Sequence, residues 1–383
     1  MKREVDMQGI RSFLRHIDYL LLLVPLLLGM LSVIMIDSIT QGDASYPKQM
    51  IIQIAAFSIG LIAMIVAIAV DSAIFERFYL VFYALSILIQ LTVFIPGLGL
   101  VRYGSRAWIN LLGITTMQPS EIVKITFVIA LAAYLSRRRD TLHTLKGFAG
   151  AFAFALPIIG LVAYIDMGAG IIMGFVFVGM VFAAGLKGGL FLRLGGVFIL
   201  LIPVVYRFMR PHQKERFEAF LHPDNTKIEA TYQVTQSKVA IGSGGLYGKG
   251  LGKGTIKESG FLPVQESDFI YSVICEELGF LGGVTVICLY AVMLLRVWRI
   301  IANAREVFSA LIAAGFLCMF GFQIFENIGM TMGVMPITGI TLPFLSAGGS
   351  SVVVNMIAIG LILGIGVRSR TRTYKYIRTA PGP

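Results

Sequence analysis

Apolar residues in this chain come in long unbroken runs, and polar residues are confined to the stretches between them. A helix needs about 20 apolar residues to cross a bilayer. Ten such runs are legible, at roughly 18–36, 50–70, 78–96, 120–136, 148–165, 169–186, 190–208, 269–296, 306–328 and 345–367. The pattern predicts an all-α polytopic membrane protein, a single membrane domain over 1–383 with no internal repeat. The first run follows Lys2, Arg3, Arg11 and Arg15 and has the outline of a signal peptide. No small-x-small cleavage site follows it, so it is read as the first span.

Composition sharpens this picture. Hydrophobic residues make up 57% of the chain and charged residues 14%, against about 25% charged in soluble domains. The mean hydropathy is +0.82. Cys275, Cys288 and Cys318 all fall in apolar segments without metal-ligand spacing and are read as packing residues. The net charge of +11 would raise the question of nucleic acid in a soluble protein. Here the positive-inside bias and anionic lipid headgroups account for it, and no nucleic-acid partner is expected.

The distribution of Lys and Arg sets the orientation. One side carries the N-terminal cluster, Arg77, Arg137, Arg138, Arg139, Lys146, Lys187, Arg193, Arg296, Arg299, Arg305 and the tail from Arg368 to Arg378. The opposite short loops carry Lys48, Arg102 and Arg106 alone. Both termini are therefore expected in the cytoplasm, and a span count shifted by one would scramble the bias. The segment 209–268 then becomes a long outer loop. Loops longer than about 12–15 residues are usually functional or disordered. This one carries Phe217, Phe220, Tyr232, Tyr247 and Phe261, and is expected to fold onto the bundle.

Few residues are left for chemistry. Asp268 stands where the long loop meets an apolar run, a costly place for a carboxylate and a useful one for proton transfer. If the helix began near Asp268, Ser272 and Glu276 would share its face. Glu276 or Glu277 is expected to serve structure. Pro119 opens the fourth run, and Glu121 and Lys124 lie three apart on one helical face. They are either a self-satisfied ion pair or a cation presented to a phosphate in an outer cavity. Arg106 and Arg102 sit on a face otherwise poor in positive charge, beside Trp108, a candidate interfacial anchor. Glu326 and Asn327 close the ninth run, where solvated polar groups are expected. Seven glycines between 242 and 254 lack the Walker pattern and suggest close-packed backbone or a flexible lip. Small residues after Pro343 suggest close helix contact. The four histidines have no metal-binding spacing.

Taken together these motifs resemble the SEDS family of shape, elongation, division and sporulation proteins. The resemblance rests on Arg106-Ala107-Trp108-Ile109, Gln118-Pro119-Ser120-Glu121 with Lys124, and the run from Gln236 to Gly245. It continues through Ser267-Asp268-Phe269-Ile270, Glu276-Glu277-Leu278-Gly279, and Leu342-Pro343-Phe344-Leu345-Ser346 with Gly348 to Ser351. The segments from Asn327 to Met330 and from Met335 to Ile340 are more similar to the RodA branch than to FtsW. Val264 and Glu266 depart from the family's usual Glu and His ahead of the aspartate, and Ala347 replaces a usual Tyr.

The resemblance implies a glycosyltransferase that polymerises lipid II into glycan strands on the outer face of the bacterial cytoplasmic membrane during elongation. It implies Asp268 as general base and Arg106, Lys124 and Glu121 at the diphosphate, with a divalent cation (Mg or Mn). It also implies a class B penicillin-binding protein, a transpeptidase, as partner. Two other classes suit a ten-span chain: a lipid-linked precursor flippase, and a non-catalytic scaffold for the penicillin-binding protein. The absence of a repeat argues against transport.

Overall fold

The computed structural model describes residues 15–40, 46–102, 105–111, 115–190, 195–196, 206–207, 209, 211–223, 229–255 and 265–379. Helices dominate, as the apolar runs predict. They are α1 (Tyr19–Thr40), α2 (Tyr46–Ala69), α3 (Ser72–Arg77), α4 (Tyr79–Leu91), α5 (Pro119–Arg137), α6 (Leu145–Ile165), α7 (Met167–Ala183), α8 (Pro211–Leu221), α9 (Glu229–Ser243), α10 (Ile270–Ala302), α11 (Val307–Thr331) and α12 (Gly349–Thr379). Among the described residues seven helices are long and apolar enough to span a membrane, and two shorter apolar helices accompany them. The run expected at 190–208 lies almost wholly outside the described residues.

The centre of the bundle is α5, buried from Val123 through Ala133. It packs against α4, α7 and α11, while α12 lies along α2 and α10 lies against α1 and α11. Large apolar side chains such as Leu20 and Leu23 of α1 and Ile51, Ile62 and Ile65 of α2 point outward. Lipid tails satisfy such a surface, because the helices already satisfy their own backbone groups.

A three-stranded antiparallel sheet was not expected from the pattern. Strands β1 (Gly99–Arg102), β2 (Ser105–Leu111) and β3 (Thr115–Met117) pair in that order, with Leu100 opposite Trp108 and Asn110 opposite Thr116. Ala107 and Ile109, two apart on β2, bury one face against Val93 and Ile165. Trp108 packs on the same small cluster.

The segment 209–268 holds α8 and α9, and α9 lies against α10 and α11, so this described part of the segment folds onto the bundle. The glycine-rich stretch that follows α9 is close-packed backbone. It fits into a break in α10 at Gly279, where φ is 71° and ψ −167°. There Phe280 N–H donates to Gly245 O at 2.9 Å and Gly250 N–H donates to Glu277 O at 3.0 Å. A Cβ on Gly279 would sit 2.3 Å from Gly248 N. The broken helix and the loop thus complete each other's hydrogen bonds.

Candidate active site

Asp268 lies two residues ahead of α10, which begins at Ile270 with Phe269 as its cap. This removes the shared face expected for Asp268, Ser272 and Glu276. Ser272 Oγ instead pairs with Ser237 Oγ of α9 at 2.5 Å. Glu276 accepts from Lys249 Nζ at 2.6 Å, Thr255 N at 2.9 Å and Thr255 Oγ1 at 2.8 Å. Glu277 accepts from Ser38 Oγ at 2.7 Å. Both glutamates therefore fasten the glycine-rich loop and α1 to α10, away from the aspartate.

Asp268 has its own setting. Ser267 Oγ donates to its Oδ1 at 2.7 Å, and Asn327 Nδ2 donates to its backbone carbonyl at 3.0 Å. The same Asn327 amide donates to Ile340 O at 2.8 Å. Asn327 and Glu326 are fully buried, contrary to the solvated ends expected of them. The reason is the segment after α11. It folds back so that Thr338 donates to Glu326 and Ile340 accepts from Asn327. Burial raises the proton affinity of Asp268 above the ordinary carboxylate range, opposed by the Ser267 hydrogen bond and the Arg216 charge and reinforced by Glu266 and Asp166. Arg216, on α8, is the cation acting on Asp268 and on Glu326.

On the other side of the Thr338–Ile340 turn lies a second buried group. Lys124 is 2% exposed and pairs with Glu121 at 2.9 Å. The ion pair weighed from the sequence is therefore formed. Next to it is Asp166, between α6 and α7, which accepts from Ala169 N at 3.2 Å as the N-cap of α7 and from the Gln118 amide. Burial raises the proton affinity of Asp166, against its hydrogen bond from Ala169. The turn brings the halves together: a Cβ on Gly339 would lie 3.4 Å from Arg216 Nη1 and 3.5 Å from Asp268 Oδ2, and one on Gly168 would lie 3.0 Å from Thr338 O and 3.5 Å from Asp166 Oδ1.

Five carboxylates, Asp268, Glu266, Asp166, Glu121 and Glu326, thus share a neighbourhood with two cations, Lys124 and Arg216. Arg106 stands apart from them, exposed on β2. Its strand is nonetheless tied to the Asp166 end, since Ser105 Oγ donates to Ile165 O at 2.5 Å. Asp166 and Arg216 are the residues that sequence reasoning missed.

The loop after Thr341 is held by side chains rather than by small-residue contact alone. Tyr290 OH donates to Pro343 O at 2.5 Å, Ser32 Oγ donates to Leu345 O at 2.6 Å, and Ser346 Oγ donates to Ser267 O at 2.5 Å. Phe344 has φ of 66°, and its buried ring packs on Phe320 with centroids 5.8 Å apart. The residue before Asp268 is fixed by this loop.

Helices that expose apolar sides and enclose a charged cluster define a multi-pass membrane protein with a buried polar site. Comparison with known proteins narrows the class. Residues 15–371 match the family model of FtsW, RodA and SpoVE, described as cell cycle protein. The chain is 33% identical over 367 residues to stage V sporulation protein E of Bacillus subtilis, covering 92% of this chain and 98% of that one. It is 34% identical over 358 residues to peptidoglycan glycosyltransferase MrdB of Escherichia coli, covering 91% and 93%. Among solved structures it superimposes with a TM-score of 0.77 at 26% identity on a chain from a study of structural coordination of polymerization and crosslinking by a peptidoglycan synthase complex, covering 92% of this chain and 98% of that one. For the rod shape determining protein RodA of Thermus thermophilus the TM-score is 0.67 at 25% identity, covering 91% and 96%. The chain belongs to the FtsW, RodA and SpoVE family, the SEDS proteins.

Proposed function

We propose that this protein is a peptidoglycan glycosyltransferase of the bacterial cytoplasmic (inner) membrane, with both termini in the cytoplasm, that polymerises lipid II on the outer face during elongation. The observation that carries the reading is a half-buried carboxylate, Asp268, with raised proton affinity, in one charge cluster with Lys124, Glu121, Asp166 and Arg216. In the reaction a sugar 4-hydroxyl oxygen of one substrate attacks the anomeric carbon of the other. Asp268 takes the hydroxyl proton, the new glycosidic bond forms, and undecaprenyl diphosphate leaves with the bonding electron pair. Burial favours the protonated state and makes Asp268 a stronger base than an ordinary carboxylate.

Positive charge for the leaving diphosphate comes from Lys124, held in place by Glu121, and from Arg106 on the neighbouring sheet. Among the described residues no group of three or more His, Cys, Asp or Glu is placed as a metal cage. Yet Mg²⁺ is commonly held by one or two carboxylates together with substrate phosphates. Glu121, buried, and Asp166, half-buried, are oxygen donors in a cluster richer in carboxylates than cations and fit that pattern. A divalent cation (Mg or Mn) there would supply further positive charge at the diphosphate. The likeness to a chain from a peptidoglycan synthase complex supports a class B penicillin-binding protein as partner.

The test uses purified protein in lipid nanodiscs, labelled lipid II and a divalent ion, with and without the transpeptidase. Polymer from the protein alone is expected and would exclude both a flippase without chemistry and a scaffold. Lipid II left intact under both conditions would overturn the reading.

A further inference from the structure

A second cleft opens beside Asp268. It lies between α8, α9 and the turn that follows α11, and its walls include Arg216, Phe220, Thr231, Val234, Lys238 and Met335. Three properties distinguish it. Among the described residues its ionisable lining is cationic, with two positive side chains and no carboxylate. Thr231 is 2% exposed and its Oγ1 has no hydrogen-bond partner among the described residues, although its backbone carbonyl accepts from Thr235 Oγ1 at 2.9 Å. A buried hydroxyl without a partner is costly, and a ligand acceptor relieves that cost. Finally, Arg216 belongs to both places: it lines the cleft and its charge acts on Asp268.

We infer that this cleft binds an oxyanion of the glycan substrate, a carboxylate or a phosphate, between Lys238, Arg216 and the Thr231 hydroxyl. The inference rests on the glycosyltransferase reading for the identity of the substrate, and deepens it by assigning a second contact. The apolar wall of Phe220, Val234 and Met335 accommodates the uncharged atoms next to the anion. Lys238 is exposed, so its head group is accessible to an incoming ligand. Arg216 fixes the distance between the bound anion and the base. Two parts of the substrate carry such a group: the free carboxylate that ends the stem peptide, and the diphosphate of the lipid carrier.

The experiment measures binding rather than turnover, in nanodiscs of neutral lipid, for wild type, Lys238→Gln and Thr231→Val. The probes are a soluble disaccharide-pentapeptide, the same compound amidated at its peptide terminus, and undecaprenyl diphosphate. Losing one charge-assisted hydrogen bond weakens binding roughly tenfold. If the carboxylate is the ligand, wild type prefers the free acid over the amide and Lys238→Gln erases the preference. If the diphosphate is the ligand, Lys238→Gln weakens undecaprenyl diphosphate instead. Thr231→Val is expected to weaken the same probe while leaving thermal stability equal or higher, a pairing that a purely structural threonine would not give. Unchanged affinity of Lys238→Gln for all three probes overturns the inference. Because no step needs turnover, a wild type that binds but does not polymerise would sink the glycosyltransferase reading and leave the cleft standing.

Discussion

Replacing Asp268 by Asn removes the proposed proton acceptor and the negative charge that faces Arg216, and leaves the packing in place. The side chain keeps its size, and an amide oxygen can still accept the Ser267 hydroxyl now 2.7 Å from Oδ1. The Asn327 contact is to the backbone carbonyl and survives unchanged. A general base contributes about 10²–10⁴ in rate, or about 3–5 kcal/mol at 1.36 kcal/mol per decade. Polymer formation should fall by that factor with little change in lipid II binding.

Stability should move the other way. Burial raises the folded-state proton affinity of Asp268, so its contribution to stability is fully present below the unfolded pKa and is lost as pH rises through the folded one. At neutral pH the buried charge therefore costs stability, and Asp268→Asn should melt no lower than wild type. For the wild-type enzyme the sign is set by the working form. The base acts when deprotonated, so kcat/KM should climb with pH through a value above the ordinary carboxylate range and then level off. Initial rates with labelled lipid II across pH, and thermal unfolding in detergent, read both effects. A variant that inserts normally and polymerises at the wild-type rate would refute the base assignment. A large drop in melting temperature would refute the electrostatic account.

Three further outcomes follow from the packing. Lys124→Ala leaves the Glu121 carboxylate buried without its 2.9 Å partner and should cost about 3–5 kcal/mol. Lys124→Met with Glu121→Gln should recover the melting temperature but not polymerisation, and recovered activity would leave the pair a purely architectural role. Gly279→Ala puts a Cβ 2.3 Å from Gly248 N at a φ of +71°; a loss of at least about 1–3 kcal/mol is expected, read as reduced folded yield by size-exclusion chromatography. Lys249→Met strands Glu276, which is 1% exposed, and Glu276→Gln in the same chain should restore part of the lost stability. Additive losses in that double-mutant cycle would contradict the coupling.

How much of this was legible depended on whether the signal was local. The spans were readable because run length is a local property, and α5 through α7 and α10 through α12 fall where the apolar runs predict. Strands of three to seven residues are too short to stand out between spans, and the sheet that carries Arg106 was missed. Asp268 was conspicuous as a carboxylate at the edge of an apolar run. Asp166 was not, because it occupies the break between two apolar helices and reads as a connection. Arg216 follows Lys214 and Glu215, a charge run that looks like a solvated face. Glu326 and Asn327 were misjudged because what buries them, the Thr338–Ile340 turn, is more than ten residues further along the chain.

The geometry of the site divides along the same line. On one side everything that holds Asp268 is fixed: Asn327 grips its carbonyl, Ser346 grips the carbonyl of Ser267, and Tyr290 and Ser32 hold the loop that carries Ser346. On the other side the charge that counters burial comes from α8, within the long loop. The position of the proposed base is therefore set by the membrane bundle, and its proton affinity partly by the loop. Burial raises the proton affinity of Asp268, and the Ser267 hydroxyl and then the Arg216 charge oppose that rise. The long loop thus has a chemical reason to fold back onto the bundle, beyond covering it.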